Sequence, residues 1–435
     1  MLVATFVALA GLASKHEHHP DSRWPVFVDG GTLPRCTDEY AGSGPCDGGL
    51  TNNLMNLTTV SVDTAHREGA LCLDGSPPGY YLQMGPAGTT QWLIYLKGGA
   101  WCKSEEECAA RAKSSLGSTD SAPKTLAFSG LMDSDPSVNP DFAHYNRVIL
   151  WYCDGASFAG DRDDPVVHAP TNQTLWFRGL SVLRTTLNQL CALHGLADAT
   201  DVILSGGSAG GLAALLHADK VREWLKTAGA PLKRYRAVPN SGFFLMHDTA
   251  DGEPVWPEAY KATFELHQAN NGVNGACVAA LKGDHWRCFL ANYSYAYSST
   301  PMFLLNSALD KWQMGHIWAG DTACVGSDFA NCTAAEVADL NGYASDFLTD
   351  LRRPAKQQQP GEGGFITSCL EHVAAQGGGF GQFSIDGVLE RDALSKWWHA
   401  DEQAEPMWWL PCSLSATAPH PCNPTCGDGA HYRAP

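Results

Sequence analysis

Basic residues are scarce in this 435-residue chain: 29 Lys and Arg stand against 46 Asp and Glu, for a formal net charge of -17. Nucleic-acid binding needs clustered cations that displace counterions from phosphates, so that class is excluded. Long apolar runs are lacking as well. The N-terminal run "LVATFVALAGLA" (2–13) is too short to span a bilayer, and no other stretch is long enough. No internal repeat and no linker-like stretch divides the chain, so tandem arrays are excluded.

Cysteine is plentiful. Fifteen are many for a reducing compartment and suit an oxidising one, where disulfides persist. Four sequons agree with secretion, at Asn56, Asn172, Asn292 and Asn331. The N-terminal run has signal-peptide length, although no basic residue precedes it. Residues 1–13 are therefore expected to be a signal peptide and residues 14–50 an irregular segment, rich in Gly, Pro and Asp, with Cys36 near Cys46. His16, His18 and His19 read as a solvated tail rather than a metal site. Residues 51–435 are expected to form a single domain.

Within that domain, apolar runs at 91–99, 146–153, 201–207, 234–244 and 300–310 lack strict alternation, as strands covered on both faces do. Helical patterns separate several of them, including 178–194 and 208–226. Alternating strands and helices predict a mainly parallel central sheet flanked by helices, an α/β-hydrolase-like fold with long disulfide-stapled loops.

The stretch "DVILSGGSAGGLAALLHADKVREW" (201–224) joins a buried strand to a helix through one serine among glycines. Gly206-Gly207-Ser208-Ala209-Gly210 matches the nucleophile elbow, in which crowding around a strained serine admits only small neighbours. A serine hydroxyl needs a base, and the base an orienting acid, in the chain order Ser, Asp, His. Asp310 ends the apolar run "PMFLLNSALD" and is either that acid or a helix cap.

Of the later histidines, His316 lies too near Asp310 to come from a separate loop. His399 sits among Trp397, Trp398, Trp408 and Trp409 and reads as part of a packed or binding surface, and His420 and His431 fall in a Pro- and Cys-rich tail. His372, between an apolar segment and a glycine loop, is the candidate base. His217 lies nine residues down the elbow helix, roughly 13 Å along its axis from the serine. For the oxyanion, the N–H of Ala209 and those of Gly99 and Ala100, in "YLKGGAWC", are the candidate donors.

Several stretches together resemble the plant pectin acetylesterase family and its animal relative Notum. They are "CLDGSPPGYYL" (72–82), "LKGGAWC" (96–102), "NRVILWYCDGASFAGD" (146–161), "LWFRG" (175–179), "SGGSAGGLAALLHAD" (205–219), "TPMFLLNSALDKWQ" (300–313), "SCLEHVA" (368–374) and "PCNPTC" (421–426). The resemblance implies a triad of Ser208, Asp310 and His372, with Gly99, Ala100 and Ala209 as oxyanion donors. It is nearer to the plant type at "YCDGASFAGD" and "PCNPTC". The chain departs from the plant pattern at Gly207, Lys97 and Ala100, where Cys, Glu and Gly are usual.

The resemblance further implies a Cys72–Cys153 disulfide. Proximity in sequence suggests Cys102–Cys108 and Cys277–Cys288, and Cys422 with Cys412 or Cys426. The expected protein is a secreted serine esterase that removes O-acetyl groups from pectin or a similar cell-wall polysaccharide. A Notum-like deacylase of a fatty acyl group and a non-catalytic binding module are the alternatives. No cofactor, metal, nucleic acid or membrane span is expected, and a monomer is. A polyanionic substrate would need a locally basic cleft, with Lys97, Arg147, Arg162 and Arg178 the candidates.

Overall fold

The structure, a computed structural model, describes residues 53–320, 322–414 and 423–426. The expected signal peptide, Cys36, Cys46, Cys422, His420 and His431 lie outside them. Among the described residues ten strands build one sheet. In chain order they are β1 (Leu54–Thr59), β2 (Gly79–Gln83), β3 (Gln91–Leu96), β4 (Thr125–Ala127), β5 (Asn146–Leu150), β6 (Asp201–Gly207), β7 (Arg234–Asn240), β8 (Phe303–Ser307), β9 (Gly363–Thr367) and β10 (Met407–Trp409). Their spatial order is β10-β9-β8-β7-β6-β3-β5-β2-β1-β4. The seven strands from β10 to β5 pair in parallel. The three beyond β5 are antiparallel. The sheet is thus mainly parallel, flanked by helices and long loops.

The central strands are buried along nearly their whole length, as their unbroken apolar runs require. Ile94 of β3, Leu204 of β6 and Ala237 of β7 lie in register across the sheet and are inaccessible to solvent. The main flanking helices are α1 (Gly179–His194), α2 (Ala209–Thr227), α3 (Ala334–Arg352) and α4 (Glu390–His399). Gly195, at φ +78°, ends α1 in the left-handed conformation that glycine adopts without Cβ strain. Thr333 and Glu336 form a reciprocal capping box that starts α3.

Four strands are shorter than their apolar runs predict, β5 among them, which ends at Leu150. Strand β3 stops at Leu96 because Gly99 and Ala100 turn to φ +149° and +52°. Strand β7 stops at Asn240, before Ser241 at φ +48°. Strand β8 stops at Ser307, and the chain turns through Ala308 and Leu309 to Asp310.

Five disulfides join described cysteines. Cys72–Cys153 and Cys102–Cys108 are two of them, with Cα separations of 5.0 and 5.2 Å. Cys277–Cys288, Cys324–Cys332 and Cys369–Cys426 are the others. The last corrects the Cys422–Cys426 alternative. Cys426 lies beside the end of β9, where Asn423 accepts from Ser368, and so reaches Cys369. Among the described cysteines Cys191 is free.

Candidate active site

The carboxyl ends of β3, β6, β7, β8 and β9 converge on one edge of the sheet, where open parallel sheets place reacting groups. Ser208 follows β6 directly. Its backbone, at φ 59° and ψ -129°, is in a region that a side-chain-bearing residue occupies only under strain. The surroundings enforce the turn. The Ser208 N–H donates to Asn240 O at 3.0 Å, and α2 begins at the next residue. A Cβ on Gly210 would overlap the carbonyl of Leu96. One on Gly207 would overlap Gln376 Nε2 and Tyr95 Oη, which are hydrogen-bonded to each other. Those two side chains fill the space that a cysteine would need there.

The loop after β3 lies against the elbow: a Cβ on Gly98 would meet Ala209 N at 3.0 Å. Its carbonyls are held from behind. Gly99 O accepts from Arg111 Nη2 and Ala100 O from Tyr152 Oη, both at 2.7 Å. In a trans peptide the N–H points opposite to the carbonyl, so anchoring Gly99 O turns the Ala100 N–H away from Arg111. The N–H groups of Gly99, Ala100 and Ala209 have no hydrogen-bond partner among the described residues. Ala209 is the first residue of α2, where the aligned peptide dipoles also favour negative charge. The loop therefore offers free donors beside Ser208.

Burial, with Arg111 nearby, pushes Lys97 down to about 8. Burial raises Asp154 to about 6, against hydrogen bonds from Phe158 and Ala156 and the charge of Arg111. Ser157 links the two loops: its Oγ accepts from Trp101 Nε1 and donates to Ala209 O, each at 2.7 Å. His217 donates from Nε2 to Ser157 O at 3.0 Å, and burial pushes it down to about 3, so it stays neutral. It is a buried prop for this loop.

Asp310 is fully buried and serves both uses that its position suggests. Its Oδ1 accepts from the N–H groups of Trp312 and Gln313 at 3.0 and 3.1 Å, capping the helix that follows. Its Oδ2 lies 2.7 Å from His372 Nδ1. A carboxylate only accepts, so Nδ1 carries the proton and Nε2 is left as the basic nitrogen. That Nε2 is buried and has no hydrogen-bond partner among the described residues.

The His372 loop is seated by Val373, whose N–H donates to Ser241 Oγ at 2.8 Å. Val373 also packs 3.0 Å from where a Gly207 Cβ would stand, so the histidine loop touches the residue before Ser208. No hydrogen bond joins Ser208 to His372. Such contacts are often slack in unliganded sites and close when substrate binds.

Aromatic rings wall this edge. Trp101 meets Phe244, Tyr260 and Trp312 edge to face, at centroid distances of 4.9, 5.6 and 5.7 Å. Phe244 and Trp312 in turn lie 6.3 and 6.4 Å from the His372 ring. Behind the loop, a cavity of about 10 Å³ is lined by Asn240, Ser241, Glu371 and Glu390 among others. Burial, reinforced by Glu371, pushes the Glu390 carboxyl up to about 8.

Several expected assignments are corrected. Of the two readings of the late tryptophans, packed or binding surface, packing holds for Trp397 and Trp398: both are in the core, against Arg236. His399 bonds Asp141 instead. Arg147 is buried on Met132 O and Gln83, and Arg178 pairs with Asp163, so neither is a free cation for a polyanion. Arg162 reaches Leu266 O. Asn292 is 4% exposed and its Nδ2 donates to Asp350, which withdraws the atom a glycan would use. Asn56, Asn172 and Asn331 are exposed. Cys102, Cys108 and His267 are clustered closely enough to hold a metal, but both sulfurs are in the disulfide.

Sequence reasoning missed the supports, namely Arg111, Tyr152, Ser157, Ser241 and Gln376. The motif "YCDGASFAGD" contains two of them, but nothing in a string shows which carbonyl a tyrosine holds.

Comparison with known proteins places residues 50–427 under the family model described as Pectinacetylesterase. The chain is 32% identical over 388 residues to pectin acetylesterase 5 of Arabidopsis thaliana, covering 86% of this chain and 85% of that one. It is 28% identical to human palmitoleoyl-protein carboxylesterase NOTUM over 403 residues, covering 88% and 75%. A solved structure of the Wnt deacylase Notum from Drosophila superposes with a TM-score of 0.70 at 24% identity, over 82% of this chain and 97% of that one.

Proposed function

The chain belongs to the pectinacetylesterase family and is a carboxylic ester hydrolase; from that premise we propose that it is a secreted enzyme that removes O-acetyl groups from pectin or a similar cell-wall polysaccharide. Ser208 is the nucleophile, His372 the base, Asp310 the orienting acid, and the N–H groups of Gly99, Ala100 and Ala209 the oxyanion donors.

His372 Nε2 takes the proton of Ser208 Oγ as the oxygen attacks the acetyl carbonyl. The three N–H groups stabilise the oxygen as it becomes negative. His372 then returns the proton to the departing sugar oxygen, leaving acetyl-Ser208. Water, deprotonated by His372, attacks that ester. The tetrahedral intermediate collapses to acetate, and Ser208 recovers its proton. Asp310 holds the imidazole in the tautomer that both halves need and stabilises the imidazolium.

The observation that carries the choice of a short acyl group is the packed wall of Trp101, Phe244, Tyr260 and Trp312 beside His372. A long acyl chain needs an open apolar channel, and these rings occupy the neighbouring volume. Each methylene that such a channel buries adds about 0.8 kcal/mol. The positions of Arg147 and Arg178 favour a polymer stretch with few free carboxylates. The disulfides favour secretion.

The test is kcat/KM on p-nitrophenyl acetate, butyrate, octanoate and palmitate, with Ser208→Ala as the blank. Acetate should be best. A maximum at octanoate or beyond would replace this reading with a fatty-acyl esterase. Failure of a fluorophosphonate to label Ser208 would replace it with a binding module.

A further inference from the structure

A second polar cavity, of about 250 Å³, lies apart from Ser208. Its walls come from three elements. The chain after β7 supplies Leu245, Met246 and His247, α3 and its end supply Asp346, Thr349, Asp350 and Arg353, and the short helix Ala291–Ser294 supplies Asn292.

Its two carboxylates already have polar partners. Arg353 lies 2.6 Å from Asp350, and His247 lies 3.4 Å from Asp346. An added anion would meet two carboxylates, and an added cation would compete with Arg353 for Asp350. One polar demand is unmet. Asn292 is 4% exposed; its Nδ2 donates to Asp350 at 2.9 Å, but its Oδ1 has no hydrogen-bond partner. A buried acceptor without a donor has lost its water and gained nothing in return. The missing complement is a neutral hydrogen-bond donor. Leu245 and Met246 add an apolar wall to the cavity. A neutral ligand with hydroxyl groups on one side and C–H groups on the other is a pyranose ring.

We propose that this cavity is a binding site for one neutral sugar residue, with a hydroxyl donating to Asn292 Oδ1, others bonding Asp350 and Arg353, and the ring's apolar face on Met246. The site is separate from the ester chemistry and shares with the proposed function only the polysaccharide as the source of the sugar. It lies on the carboxyl side of the sheet: Leu245 N–H donates to Gln313, whose own N–H donates to Asp310. A polymer seated here would thus be anchored beside the acid end of the site rather than at the serine.

The experiment uses the full chain with Ser208→Ala, so that nothing is hydrolysed. Galactotriose and trigalacturonate are titrated by calorimetry. Galactotriose should bind, and trigalacturonate at least tenfold more weakly. Asn292→Leu removes the acceptor and Met246→Arg fills the cavity from its partly exposed rim. Each, added to the Ser208→Ala chain, should weaken galactotriose at least tenfold. In the wild-type background both should leave p-nitrophenyl acetate hydrolysis unchanged. If Asn292→Leu unfolds, Met246→Arg alone decides.

Galactotriose binding that is absent, or unaltered by Met246→Arg, overturns the proposal, as does a preference for trigalacturonate. A glycan found on Asn292 by mass spectrometry also overturns it, because the sugar in the cavity would then be the protein's own. Loss of p-nitrophenyl acetate turnover in wild-type protein would instead count against the serine chemistry.

Discussion

Replacing Glu390 by glutamine should stabilise the protein increasingly as pH rises above about 4.5. Glu390 opens α4 and is 2% exposed, and its Oε1 has no hydrogen-bond partner. A helix N-terminus favours a negative charge by about 0.3–1 kcal/mol. Burial opposes this, Glu371 adds like-charge repulsion, and burial wins: the carboxyl is raised from 4.5 to about 8. Below 4.5 the group is protonated whether the chain is folded or not, and its contribution is complete. Between 4.5 and 8 the unfolded chain releases a proton that the folded one keeps, so stability falls as pH rises.

Each tenfold change in proton affinity is worth about 1.4 kcal/mol, so the whole loss is at most about 5 kcal/mol. Glutamine keeps the shape of the neutral acid and cannot ionise. Urea unfolding of wild type and Glu390→Gln should coincide near pH 4.5. Near pH 8.5 the variant should be more stable by about 2–5 kcal/mol, read from the midpoint at unchanged slope. Parallel pH profiles for the two proteins would refute the assignment of a neutral, buried carboxyl to Glu390.

Asp310→Asn should fold normally, because an amide oxygen still caps Trp312 and Gln313, while kcat falls by about 10³–10⁴ as the histidine loses its orienting charge; near-wild-type turnover would move the acid elsewhere. Joint replacement of Cys72 and Cys153 by serine opens a link between residues 81 apart, and chain entropy sets the loss at about 4.5 kcal/mol; calorimetric melting checks it, and an unchanged melting temperature would refute it. Gly210→Ala should abolish activity or folding, since the new methyl has to displace the Leu96 carbonyl at the edge of the oxyanion loop; an active, stable variant would show that the elbow is looser than its geometry.

Much of the central machinery was legible in the sequence because it depends on short-range chemistry. A glycine-flanked serine between an apolar run and a helix has few alternatives. The runs of β3, β6, β7 and β8 are buried on both faces, and burial is written directly in composition. Asp310 was ambiguous between acid and cap because a single carboxylate has enough lone pairs for both. The antiparallel strands β1, β2 and β4 were not foreseen. They are three to six residues long, and β1 has most of its side chains exposed, so no apolar run announces them. The tryptophans of α4 stayed undecided between packing and binding because an aromatic cluster looks the same in sequence whether it faces a ligand or an arginine inside the core. The cavity beside Asn292 was invisible, since three elements far apart in the chain make it.

That one carboxylate both fastens a helix and steadies an imidazole has an evolutionary consequence. A descendant drifting from hydrolysis toward mere attachment could discard Ser208 or His372 at little structural cost. Discarding Asp310 for a side chain without an acceptor oxygen would also free the start of the helix at Lys311 and leave two buried N–H groups unanswered. In inactive members of such a lineage an aspartate or asparagine at this position should therefore outlast its partners, persisting as a relic of lost chemistry.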